Sequence, residues 1–80
     1  MYVKYLDNIH NIENYQSVVR VGENQILLVS NNHSTSLLFK DGITRDWASS
    51  HIWMQLKNHT EFLDLDSDVE TFHTSEMYKI

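Results

Sequence analysis

The longest unbroken apolar run in the chain is Ile26-Leu27-Leu28-Val29, only four residues long. A membrane-spanning helix needs about 20, so no span is expected. What the run does fit is a strand. Ile26 and Leu28 then face one way and Leu27 and Val29 the other, so both faces are apolar. That is the mark of a central strand covered on two sides.

Its flanks agree. Tyr15, Val18, Val19 and Val21 make the preceding segment rich in strand formers, and Gly22-Glu23-Asn24 reads as a hairpin connection. Asn31-Asn32-His33-Ser34 is a turn cluster. Thr35 to Lys40 reads as a third strand, closed by Asp41-Gly42. These signals predict strands over Val18–Val21, Gln25–Ser30 and Thr35–Phe39. A further strand over Tyr2 to Leu6 is expected at an edge.

The segment from Thr44 to about Asn58 predicts the one amphipathic helix, chiefly over Arg45–Lys57. Thr44 is placed as its N-cap, Asp46 in its first turn and Lys57 in its last. Ala48, Ile52 and Leu56 form its apolar stripe, with Trp53 on the edge of that stripe. The expected fold class is α+β: a small antiparallel sheet of three to five strands with this helix packed on one face. Leu27 or Leu28, Phe39, Ile52 and Leu56 are expected in the core. A short strand is expected near Phe62–Leu65, and the chain after about residue 70 is expected to be loosely ordered.

Eighty residues make one domain. An apolar content of 41% argues against wholesale disorder. With no cysteine, neither a disulfide nor a thiolate metal site can staple the chain. The opening residues have neither the basic start nor the apolar run of a signal peptide. A cytoplasmic location is the expectation, with no membrane association.

No catalytic constellation emerges, and a non-enzymatic role is expected. There is no G-x-S-x-G, no glycine-rich phosphate loop and no H-E-x-x-H. His10 and Glu13, like His73 and Glu76, are three apart. Their order reverses the Glu-x-x-His of dimetal helix bundles, and neither segment reads as a helix. Asp64, Asp66 and Asp68 match the first positions of a calcium loop, but Val69 and Ser75 stand where its Gly and Glu belong. No cofactor and no metal are expected.

Charge is distributed unevenly. Residues 1–40 balance, so the whole net charge of −5 lies in the second half. Six acids and no Lys or Arg fall between Glu61 and Glu76. This favours a basic protein partner over direct contact with nucleic acid or an anionic membrane. If extended, Asp64, Asp66, Asp68 and Glu70 share one face and repeat every ~6.7 Å, roughly as phosphates do along a nucleic-acid strand. The bland alternative is a solvated acidic edge that blocks strand pairing. On the helix, Trp47, His51 and Met54 lie opposite the core stripe and form a candidate contact patch. Here the alternative is that the C-terminal segment covers this face.

In size, acidity and want of catalytic motifs the chain is similar in general character to small accessory proteins of phages and mobile elements. Several of those inhibit nucleic-acid-handling machines. The likeness implies a stoichiometric inhibitor that docks its acidic half, as a nucleic-acid mimic, on a basic nucleic-acid-binding protein. The alternative is a self-associating structural or adaptor protein. A homodimer is expected because one helix covers only one face of the sheet.

Overall fold

A computed structural model describes residues 1–75 and has the expected α+β class. Six strands form two three-stranded sheets. The first contains β1 (Tyr2–Tyr5), β2 (Asn8–Asn11) and β6 (Phe62–Asp64), in the order β2-β1-β6. The second contains β3 (Ser17–Val21), β4 (Gln25–Val29) and β5 (Ser34–Leu38), in the order β3-β4-β5. Helix α1 runs from Gly42 to Lys57 and helix α2 from Leu65 to His73. No helix among the described residues is long and apolar enough to cross a membrane.

The second sheet is antiparallel throughout and matches the sequence expectation closely. β4 is its central strand. Its register sets Val18 and Thr35 beside Leu28, and Arg20 and Leu37 beside Ile26. Ile26, Leu28 and Leu37 are buried on the inner face, where α1 packs with Ala48 and Ile52. The β3–β4 turn places Gly22 at φ 58°, a conformation that costs glycine nothing. Arg45 clamps this turn by donating to the carbonyls of Val21, Gly22 and Gln25.

The first sheet differs from expectation. The Tyr2–Tyr5 strand is central rather than at an edge, pairing antiparallel with β2 and parallel with β6. Strand β2 was not expected. The β1–β2 turn is only Leu6-Asp7, both at positive φ (50° and 63°), as a type I′ hairpin requires. Asp is accepted in such turns but Leu is not a usual signal for them. Tyr5 joins the two sheets: its ring stacks on Phe39 at 4.8 Å, and its hydroxyl donates to the Leu38 carbonyl.

The start of α1 is corrected. Asp41, not Thr44, caps α1, its carboxylate accepting from the Thr44 N–H at 2.8 Å. Helix α1 therefore begins at Gly42, and Thr44 is fully buried in the first turn with its hydroxyl 2.9 Å from His73 Nε2. At the other end His59, at φ 57°, closes a Schellman motif. Its N–H reaches the Leu56 carbonyl, and that of Thr60 reaches Gln55.

The second correction concerns residues 65–73, which form a helix. Asp64 caps it through the Ser67 N–H, and Leu65, Val69 and Phe72, at i, i+4 and i+7, are buried. The core those side chains complete outweighs the period-2 alternation of acids. α2 packs on β1 and α1, so among the described residues no helix covers the outer face of the second sheet. Loose order beyond residue 70 is an expectation that, for residues 76–80, lies outside the described residues.

Candidate functional site

The principal concavity, about 500 Å³, lies between β3 and α1. Its origin is local. α1 sits over β4, where Ala48 and Ile52 bury against the sheet, and it turns Ser49 and Ser50 toward β3. Two small hydroxyl side chains cannot fill that gap, and Val18 on β3 stays 39% exposed on the face that points inward. Ile12, Val18, Ile52 and Leu56 supply apolar lining. Trp53 stands at the rim, 66% exposed.

The cleft is bordered by a sheet edge. Among the described residues β3 pairs only with β4, so one side of its backbone has no described strand beside it. Arg20 bridges the cleft mouth to Asp46 on α1 at 3.4 Å. The Asp46 carboxyl is held below its ordinary range, first by the hydrogen bond from Arg45 at 2.7 Å and then by the charges of Arg45 and Arg20. Toward the opposite end, the Tyr15 hydroxyl lies 3.4 Å from Thr35 Oγ1. A hydroxyl-lined apolar groove beside a sheet edge, whose one charged lining residue, Arg20, is paired with Asp46, is suited to holding an extended backbone.

The residues singled out in the sequence separate into two groups. Trp47, His51 and Asp68 come together. The Trp47 ring is sandwiched between His51 at 4.7 Å and Phe72 at 4.6 Å, and His51 Nε2 lies 2.8 Å from Asp68 Oδ2. Trp47 is thus half-buried under α2, so the C-terminal segment does cover that part of the helix face. Met54 is exposed and apart from this stack, beside Trp53.

The acids form no extended ladder, because they lie at and within a helix. Asp66 and Glu70 share one side, and Asp68 points about 200° away from Asp66. Asp64 caps α2 and lies 3.9 Å from Lys4 Nζ. Asp66 accepts from the Leu6 N–H at 2.8 Å and from Lys4 Nζ at 3.3 Å. That bond, and the field of Asp64, hold Lys4 above the ordinary lysine range. Glu70 is exposed.

Sequence reasoning placed Trp53 at the edge of the core stripe and Trp47 outside. The structure exposes Trp53 and covers Trp47. No protein-family model, curated protein or solved structure matches the chain.

Proposed function

We propose that the protein is a non-enzymatic binding module that takes an extended segment of a partner protein along β3, with side chains of that segment entering the β3–α1 cleft. The observation that carries this is the free edge of β3 running beside the apolar cleft rimmed by Trp53. Main-chain hydrogen bonds to β3 supply affinity, and alternate side chains packing against Val18, Ile52 and Leu56 supply selection. The net charge of −5 favours segments carrying Lys or Arg and speeds their encounter. In this reading the basic partner is met by the charge of the whole molecule rather than by an acidic ladder, and an inhibitory role follows wherever the captured segment is needed elsewhere.

Selection of displayed random decapeptides on the immobilised protein tests it. The expected winners alternate apolar residues, carry Lys or Arg, and lose at least about tenfold in affinity on Val18→Lys, which charges the exposed strand and cleft. Trp53→Ala is expected to speed dissociation. Winners that bind both variants as well as the unaltered chain overturn the reading, provided melting shows the variants folded.

A second reading, self-association, is favoured by the outer face of the second sheet. Nine side chains point there: Val19, Val21, Leu27, Val29, Leu38, Ser17, Ser34, Ser36 and Gln25. None is charged, so two copies can meet on this face without placing like charges in contact. The face measures only roughly 14 by 17 Å from strand spacing and rise, far below the ~800 Å² each partner buries in a stable complex. Pairing here is expected to be weak. In sedimentation equilibrium it gives a mass that rises with concentration only well above tens of micromolar, and Leu38→Lys removes the rise. A monomer mass up to the solubility limit overturns it.

A further inference from the structure

On the outer face of the first sheet, Tyr2 and Phe62 occupy paired positions of the neighbouring strands β1 and β6. Both are half exposed, at 50% and 51%. Large aromatic side chains presented side by side to water are unusual unless something covers them. They line a hollow of about 370 Å³ together with Met1, Asn11, Glu13 and Glu61. Among the described residues no Lys, Arg or His side chain lines it, and the Met1 ammonium is the one cationic group there, held against Glu13. Lys4 shares the face but directs its ammonium to Asp64 and Asp66.

The hollow is held by backbone rather than by loops. The Tyr2 N–H donates to the Glu61 carbonyl at 2.8 Å and the Ile12 N–H to that of Met1 at 2.9 Å. These bonds fix β6 and the short 3-10 turn Ile12–Asn14 on either side of β1. Glu13 lies 3.5 Å from the Met1 amine with its side chain still 78% exposed. Two aromatic rings attract a cation through their faces, and Glu61 adds negative charge beyond the mutually offset pair of Glu13 and the Met1 amine. An anionic ligand would meet repulsion from both.

The geometry points to this hollow as a receptor for a cationic side chain, an arginine or lysine of a protein partner. The inference rests on the reading of the β3–α1 cleft as the seat of an extended segment and supplies that segment's charged residue. The 3-10 turn separates the two: Ile12 lines the cleft, while Asn11 and Glu13 line the hollow. The inference requires that a segment leaving the cleft past Ile12 bring its next side chains to Tyr2 and Phe62. Selection of a basic partner then comes from a defined pocket as well as from net charge.

The test is an amide-shift titration by NMR with three capped amino acids: N-acetyl-arginine methylamide, N-acetyl-lysine methylamide and the uncharged N-acetyl-norleucine methylamide. At least one of the cationic pair is expected to shift the Tyr2, Asn11 and Phe62 amides saturably at millimolar concentration, whereas norleucine does not. Glu61→Gln and Phe62→Leu are each expected to weaken binding by about tenfold, and both lie at exposed positions where the fold is checked by melting. Equal shifts with norleucine, no shifts with either cation, or unchanged affinity in both variants overturns the inference. These probes are too short to occupy β3, and Val18→Lys is expected to leave their binding unchanged. Failure of the cleft reading is therefore seen separately, in the decapeptide selection.

Discussion

Asp66 Oδ1 accepts a hydrogen bond of 2.8 Å from the backbone N–H of Leu6, sixty positions away. An α2 side chain thus pins the two-residue turn of the β1–β2 hairpin, whose central residues are both at positive φ without being glycine. Each costs about 1–2 kcal/mol in that conformation. Asp66→Ala is expected to lower stability by about 1–3 kcal/mol. Replacing the turn with Leu6→Asn and Asp7→Gly is expected to raise it by about 1–2 kcal/mol. Urea denaturation of the separate and combined variants measures both, with the Asp66→Ala loss retained in the Asn-Gly background if the pin acts on β1 as a whole.

The two large apolar residues of the α1 stripe, Ile52 and Leu56, are expected to differ. Ile52 is 1% exposed, so Ile52→Ala is expected to cost about 2–5 kcal/mol. Leu56 is half-buried at the cleft, and Leu56→Ala is expected to cost about 1–2 kcal/mol. Ser49→Leu should do the reverse of either: filling the cleft raises the melting temperature by a few degrees while abolishing decapeptide binding, a trade of function for stability. Ser49→Leu that melts higher and still binds places the segment elsewhere.

His59 closes α1 in the left-handed conformation, where an L side chain is disfavoured. His59→Gly is expected to stabilise the protein by about 1 kcal/mol without altering any binding. Thermal melting of the variant checks the gain.

Alkaline pH is expected to weaken the fold. Lys4 is raised, first by its hydrogen bond to Asp66 and then by Asp64; Tyr5 is raised by burial and then by Asp66. Groups raised in the folded state contribute fully below their unfolded values, here about pH 10, and lose that contribution as pH rises through the folded values. Urea midpoints are therefore expected to fall above about pH 10, and less steeply in Lys4→Met. Asp46 acts oppositely: its lowered value stabilises at neutral pH and is lost on acidification through the folded value.

The β3–β4–β5 meander and α1 were legible because periodicity, turn residues and composition agree there. Leu28, Phe39 and Ile52 are buried as expected, Leu56 only in part. Strand β2 was hidden because Leu6-Asp7 makes a tight turn with no glycine or asparagine, its conformation held from α2. The Asp64–Glu70 alternation reads as a strand by period 2, yet Leu65, Val69 and Phe72 obey period 3.6 and decide the outcome by burial. For the site, the choice between Trp47 and Trp53 depended on where α2 lands, and no local pattern around α1 carries that.

The parallel pairing of β1 with β6 makes the first strand of the chain the last to find its place. At about 5–20 residues per second of synthesis, Tyr2–Tyr5 waits several seconds for Phe62–Asp64 to be made. Meanwhile the meander and α1, whose partners are near in sequence, have all they need to assemble. A ribosome-bound chain halted before β6 would leave Val3 and one edge of β1 without the parallel strand beside them, with Tyr5 resting on Phe39. Chaperone capture of such halted chains, set against those extended past α2, would mark the moment at which the molecule first becomes self-sufficient.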